Sequence, residues 1–551
     1  MPRHRIPRGL RVLAPALLLA VSLGPAVRAQ DARPGVFGES LDVRVVNVEV
    51  VVTDKKGARV DGLAAADFQL EVDGKVVPID YFTEIVGGRV AELPEGAPPQ
   101  AAPPAADPGQ PLGVSWLVFI DDYFSLERDR DKVLDSLQEQ IGHLGPQDRM
   151  AIVAWDGKKL TMISSWTSSQ PALERAWKAA KKRDGYGLRR YSERERFDNE
   201  QKLRLAQGIS FGAGAIADPA HLDPEERYYV DNLAAQVQHS VSAAAATLRA
   251  FAQPPGRKAM LLLSGGWPWR PVDYAIPEPQ RMITERTLGD LDLFRPLADV
   301  ANLLGYTLYT VDVPGMIQRL VDASQAFPLD PERETLREQD LHMSLDWLAR
   351  ETGGRSFLNS QRLSVFEDAV TDTRSFYWLG FTPKRSGDDK PHEVKVTVKR
   401  PGLDARARQG YLDASRKLEV SMAVESALLF GNPASSLPLG LTVGKPEKQR
   451  GRTMRVPIEV TVPLDALTAL PGEKGPEVSV ELRIAAQDSE GNLAEIPVIP
   501  LHVQIPEKVK VTDGARYTTA VVLRRSPHDL VVALYEPASG KIFSATARIS
   551  P

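Results

Sequence analysis

The sequence predicts an α/β fold: a parallel sheet covered by helices, flanked by a small N-terminal β module and a C-terminal β-sandwich. Three observations carry that expectation. Residues 114–120, Val-Ser-Trp-Leu-Val-Phe-Ile, form a nearly unbroken apolar run closed by Asp121 and Asp122, as expected of a strand buried on both faces. Apolar runs and helical periods then alternate to about residue 381, the pattern of a sheet built from crossover units. The last 130 or so residues show short strand-like runs separated by Gly, Pro and Asp turns, with no helical period.

Taken in order, residues 1–29 read as a secretory signal peptide. Arg3, Arg5, Arg8 and Arg11 precede an apolar stretch from Val12 to Leu23, and Val27-Arg28-Ala29 offers a small-residue cleavage site. A retained membrane anchor is the alternative, although the stretch is short for a bilayer, which needs about 20 residues. Losing residues 1–29, with five arginines and no acid, takes the formal charge from −4 to −9. An acidic chain has no electrostatic reason to bind nucleic acid. Cysteine is absent, which excludes disulfides and a catalytic thiol. The expected product is secreted or periplasmic, with no stable membrane insertion after cleavage.

Residues 40–90 alternate in strand fashion around turns at Asp54–Gly57 and Asp73-Gly74, giving the small β module. Residues 91–112 are a Pro/Ala-rich linker. The α/β region is assigned to residues 113–412. Its first helix carries Val133, Leu134, Leu137, Ile141 and Leu144, and strands are expected at 149–155, 160–166, 258–263, 306–311 and 375–381. Residues 183–226 read as an irregular, charged insertion, since 178–204 alone holds ten basic and five acidic residues. Residues 416–551 form the sandwich, beginning with a strand at 418–424.

Several motifs follow one another in order: Val50-Val51-Val52-Thr53-Asp54, Pro255-Gly256-Arg257-Lys258-Ala259, Tyr309-Thr310-Val311-Asp312, Leu348–Arg355, Tyr377–Pro383 and Arg406–Tyr411. Their order resembles that of the VWFA-related proteins (von Willebrand factor A-type, VWA) common in acidobacterial genomes. The resemblance implies an exported protein with a VWA (Rossmann-like) parallel sheet. It also implies a metal-ion-dependent adhesion site, in which Asp-x-Ser-x-Ser, a loop Thr and a later Asp hold Mg²⁺ through oxygens at about 2.1 Å. Here the first motif reads Asp121-Asp122-Tyr123-Phe124-Ser125, so Tyr123 stands where a small hydroxyl is needed. Gly265 replaces the later carboxylate, and Thr167 and Ser210 are the only candidates for the loop hydroxyl. The site therefore reads as degenerate, with Asp121, Asp122 and Ser125 as the remaining metal candidates and no cofactor expected. The competing assignment has the two aspartates bonding loop amides or capping the next helix.

No catalytic motif is found. The eight histidines lack metal-ligand spacing, and no Gly-x-Ser-x-Gly elbow or P-loop occurs. The chain is expected to be a binding protein and not an enzyme. Its partner would be another protein, held at the carboxyl edge of the parallel sheet by Trp267, Trp269 and Tyr123. Two alternatives stay open: Mg-dependent adhesion through Asp121 and Ser125, and a structural component of the cell envelope. The tryptophans can also pack under the insertion.

Overall fold

The computed structural model describes residues 45–91, 112–207, 222–252, 256–277, 291–313, 331–359, 364–383, 388–430, 437–472, 475–488, 497–504 and 514–551. The signal peptide, nearly all of the linker and Ser210 lie outside them. The chain divides into two compact units, Asp42–Glu419 and Val420–Pro551.

The first unit opens with β1 (Val46–Asp54), β2 (Phe68–Val72), β3 (Lys75–Val77), β4 (Tyr81–Val86) and β5 (Arg89–Val90). Next come β6 (Val114–Asp121), α1 (Glu127–Glu139), β7 (Arg149–Trp155), β8 (Leu160–Thr167) and α2 (Gln170–Lys181). Two long helices, α3 (Gly187–Ala206) and α4 (Pro224–Ala250), precede β9 (Arg257–Ser264), α5 (Pro271–Ala275), α6 (Leu291–Leu304) and β10 (Tyr306–Asp312). The unit closes with α7 (Pro331–Glu351), β11 (Ser356–Phe357), α8 (Val365–Arg374), β12 (Phe376–Phe381), β13 (Pro391–Val398), β14 (Leu403–Ala407) and β15 (Gly410–Leu412).

The expected fold class is corrected by the strand pairing. Fifteen of the twenty ladders between named strands are antiparallel, so the chain is a mixed, β-rich, sandwich-like protein. Among the described residues, parallel pairing is confined to β6, β7, β9, β10 and β11 of one six-stranded sheet, whose edge strand β8 is antiparallel, and to a two-residue contact in the second unit.

Nor is there a separate N-terminal β module. β1 lies between β12 and β14, and β4 pairs β12, giving the order β14-β1-β12-β4-β5. β2 pairs β13 in a second antiparallel sheet, β15-β13-β2-β3. The two sheets share one core, in which Val48, Val50, Val52, Phe68 and Leu70 meet Tyr377, Leu379, Phe381 and Val394. Alternation in residues 40–90 specified half-buried strands, but the partners that cover them lie some 330 residues away. Local periodicity says nothing of partner identity.

In the six-stranded sheet, β6 is buried at every position. One face, with Trp116, Val118 and Ile120, packs on Val133, Leu134 and Leu137 of α1, Trp177 of α2 and Phe366 of α8. Helices α4, α6 and α7 contact the strands as well. Asp372 of α8 ties this sheet to the antiparallel pair. It accepts from Tyr309 Oη at 2.6 Å and pairs with Arg406 of β14 and with Arg59. Burial opposes its charge, but Arg406 and Tyr309 outweigh that, and the carboxyl sits below its ordinary range.

Two further expectations are corrected. Residues 187–206 are the twenty-residue helix α3, where an irregular insertion was expected. The proposed strand at 418–424 is part of a helix, α9 (Arg416–Phe430). In the second unit this helix contributes Val424, Ala427 and Leu428 to a small cluster with Ala485, Val531 and Ala533.

Ten strands complete that unit: β16 (Leu437–Pro438), β17 (Gly440–Val443), β18 (Glu447–Lys448), β19 (Thr453–Val462), β20 (Leu470–Gly472), β21 (Gly475–Asp488), β22 (Val498–Gln504), β23 (Ala515–Arg524), β24 (His528–Tyr535) and β25 (Ile542–Ile549). They form two sheets, β16-β25-β24-β21-β20 with β22 on β21, and β17-β19-β18 with β23 on β19. Both sheets feed one core, including Val456, Ile458, Val460, Val480, Leu482, Val532 and Leu534, which makes this unit a sandwich. Among the described residues, no helix is long and apolar enough to cross a membrane.

The pairing makes a direct prediction. A chain starting at residue 112 strips β12 of both its neighbours and opens the core around Tyr377. Circular dichroism and urea unfolding should show it without a cooperative transition for the first unit. A normal transition would mean that residues 45–91 are a dispensable module after all.

Candidate functional site

The carboxyl end of β6 is where ligand chemistry is sought on such a sheet. Here the end is sealed. Asp121 is fully buried and every oxygen is engaged: Oδ2 accepts from Ser264 Oγ and from Trp267 Nε1, both at 2.7 Å. Oδ1 accepts from the amides of Tyr123 and Phe124 at 3.2 Å. Burial is the dominant influence and pushes its pKa up to about 6, against the opposing hydrogen bonds from Ser264 and Trp267.

Asp122, the first residue beyond β6, has partners of its own. Its Oδ1 accepts from Arg130 Nη1 and its Oδ2 from Arg183 Nε, each at 2.7 Å. Asp122 and Arg130 are both without solvent exposure, whereas Arg183 is 19% exposed. Arg130 also bonds Asp131 and the Arg183 carbonyl. Burial raises the Asp122 carboxyl, while Arg130 and Arg183 pull against it.

The segment leading into α3 sits on this loop and closes it. Tyr186 N donates to the Asp122 carbonyl at 2.7 Å, and Gly187 N donates to the Ser125 carbonyl at 2.9 Å. The fit at Gly187 is tight, since a Cβ there would lie 2.6 Å from the Ser125 carbonyl carbon. Tyr123 is clamped from both sides. Its hydroxyl accepts from Arg190 Nη1, whose guanidinium lies 4.6 Å from the ring centroid. Its ring abuts Gly157, where a Cβ would fall 2.2 Å from Tyr123 Cδ2 and where φ is +89°. Only glycine suits that turn.

Buried ion pairs hold α3 in place. Arg337 of α7 makes a bidentate pair with Asp198 at 2.7 Å and bonds Glu334, and Arg194 lies 3.1 Å from Glu334. Phe197 stacks on Tyr229 at 4.2 Å. This explains why the sequence hid the helix. Its anchoring residues are mainly charged, so the apolar stripe that marks an amphipathic helix is weak.

The tryptophans proposed as partner anchors are corrected to core residues. Trp267 is 0% exposed and Trp269 4% exposed. Trp269 stacks on Phe294 at 5.2 Å and lies 5.7 Å from Trp347. Asp340 of α7, itself buried and with a carboxyl raised well above normal by that burial, accepts from the Trp269 and Arg270 amides. Phe294, Trp347 and Asp340 cover the loop, and nothing in the local sequence announces them.

The residues do not fit the Mg²⁺ site implied by the motif resemblance. An octahedral cation needs oxygen lone pairs that are not already committed to other donors. Asp121 instead receives four hydrogen-bond donors, and two guanidiniums occupy the space a cation would take beside Asp122. Tyr123 is held by Arg190. Of the three candidates, only Ser125 Oγ is buried without a hydrogen-bond partner. Thr167, the other described candidate, is committed at its Oγ1 to the Ser169 amide.

Comparison with protein families and with characterised proteins yields no match. Among solved structures, a calcium-binding mutant of Bacteroides uniformis beta-glucuronidase 2 aligns at TM-score 0.15 and 11% identity, over 20% of this chain. The chain spans 13% of that enzyme's length. A putative ApaA protein from Bordetella pertussis aligns at TM-score 0.12 and 10% identity, over 21% of this chain and 94% of the other. The chicken interferon gamma receptor alpha chain gives 0.13 and 9%, over 29% and 64%. These scores are far too low to indicate a shared fold.

Two predictions test the sealed site. Asp122→Ala strands Arg130 in the interior and should cost about 3–5 kcal/mol in urea unfolding, whereas Arg183→Ala should cost less. Asp121 has a folded pKa of about 6, above its unfolded value, so its contribution is full below about pH 4 and is lost as the pH rises through 6. Between pH 4 and 7 the stability of Asp121→Asn relative to the native chain should therefore improve, by on the order of 2–3 kcal/mol. A flat difference would show that Asp121 does not titrate in this range.

Proposed function

We propose that this chain is an exported binding protein that engages another protein through the α3–α4 cap over the six-stranded sheet, without a metal there. The observation that carries the reading is the surface of that cap. Leu188 is 58% exposed, Leu203 49% and Tyr228 74%, large apolar side chains of which the first two lie on the strongly charged α3 and the third in the charged first turns of α4. Leu188 and Leu203 are fifteen positions apart, within roughly 60° around an α-helix. Arg204 pairs with Asp223, which caps α4, and so keeps the end of α3 beside Tyr228's helix.

Exposed apolar groups within a charged rim are the composition of protein-binding surfaces. The sealed β6 end supports the same reading, because it leaves no open carboxylates for metal-bridged adhesion. The likeness of motif order to exported proteins, together with the N-terminal sequence, supports a periplasmic or secreted setting.

A photo-crosslinking residue at Leu188, in cells making the full chain, should give a discrete adduct. The adduct should fade when Tyr228→Asp or Leu203→Asp is added. The same probe at Val76, which is 68% exposed on β3, should give none. Identical adducts from both positions, or adducts indifferent to the aspartates, would overturn the proposal.

A further inference from the structure

We infer that Asp388, His392 and Asp413 form a binding site for a divalent transition metal, of which zinc is the best match. One ligand atom from each lies within 4.8 Å of the others. The sheet brings them together: β13 and β15 run antiparallel with His392 opposite Tyr411 and Pro391 opposite Leu412. Asp388 precedes β13 and Asp413 follows β15. Backbone bonds then lock the two loops, with Asp389 N donating to the Asp413 carbonyl at 3.0 Å and Asp413 N to the Lys390 carbonyl at 3.1 Å. Asp389 is held in turn by Ser415, which donates to it through both amide and hydroxyl.

A second observation, outside these three residues, points to a ligand. His392 Nδ1 lies 2.8 Å from Asp73 Oδ2, on the turn after β2. Asp73 Oδ1 accepts from the Glu393 amide at 3.0 Å, which fixes that carboxylate in place. The imidazole also stacks on Tyr411, centroids 4.9 Å apart, so its plane is set. With the proton on Nδ1 facing Asp73, the Nε2 lone pair faces Asp388, 3.8 Å away. A carboxylate behind the imidazole and carboxylates before it is the arrangement that orients and strengthens metal-binding histidines.

The donor set selects the metal. One imidazole and two carboxylates suit zinc, whereas magnesium and calcium prefer oxygen throughout. Ligand atoms around tetrahedral zinc lie about 3.4 Å apart, given bonds of about 2.0–2.2 Å. Closing the present 4.8 Å spread takes a relative movement of about 1.4 Å among the three side chains, of which Asp388 is the exposed one, its Oδ1 now accepting from the Lys390 amide at 3.0 Å. Three protein ligands leave one position open. Lys390 Nζ, 3.9 Å from Asp388 Oδ2, is the neighbouring cation that the metal would displace.

The competing account is a protonated His392 bridging Asp73 and Asp388 as a plain ion pair. Isothermal titration of the EDTA-treated full chain with Zn²⁺, in excess Mg²⁺, separates the two. The expected result is one zinc per chain, abolished by His392→Ala and by Asp413→Asn. Asp73→Asn should weaken binding 10–100-fold without abolishing it. Circular dichroism of each variant checks folding, and Co²⁺ in place of zinc should give absorption bands in the native chain that His392→Ala lacks. Overturning results are no saturable zinc binding by the folded native chain, or binding undiminished in folded His392→Ala. Because none of these residues belongs to the cap, failure here leaves the crosslinking result untouched, and the reverse.

Discussion

Two adjacent carboxylates, Asp121 and Asp122, are carried to the end of a strand that is buried throughout, and much of the first unit answers that constraint. A buried carboxylate is costly unless charge and hydrogen bonds are returned to it. Asp122 receives two guanidiniums, one from α1 and one from the segment entering α3. Asp121 receives a hydroxyl from the end of β9 and an indole from the loop beyond it. Meeting these demands seats α3 on the sheet edge and folds Trp267 inward. An edge that could have been an open cleft becomes interior.

The same logic recurs at Asp372 and Asp340. Each is a buried carboxylate where separate elements meet: Asp372 gathers β10, β14 and the loop after β1, and Asp340 holds the Trp269 loop against α7. Such networks add little net stability compared with an apolar core, but they are unforgiving of misplacement, because an unpaired buried charge is penalised heavily. They position elements that apolar packing alone would leave free to slide.

How much of this was legible follows from which signals are local. β6, β9, β10 and β12 stand out because apolar runs this long imply burial on both faces. The start of helix α4 was read into the irregular insertion, although Asp223 and Glu226 form a capping box there with Pro224 in the first turn. Helix α3 was not legible, since Arg190, Arg194 and Asp198 look like surface charge until their partners on α5, α7 and the loop after β6 are known. The α9 segment reads as alternating, and its helical form depends on packing with Ala485, Val531 and Ala533. That Tyr123 and Gly265 are poor metal ligands was visible in the sequence, yet the occupation of the space beside Asp121 and Asp122 by Arg130, Arg183 and Trp267 was not.

By itself the sequence determined which segments must be buried, where most strands begin and end, and the absence of disulfide and thiol chemistry. These are properties of residues and their near neighbours. Tertiary structure alone decided that β1 and β2 pair with β12, β13 and β14, that Trp267 and Trp269 face inward, and that His392 meets Asp73, Asp388 and Asp413. Each of those depends on long-range register or on the compensation of a buried charge, and the partner that supplies it can sit hundreds of residues away.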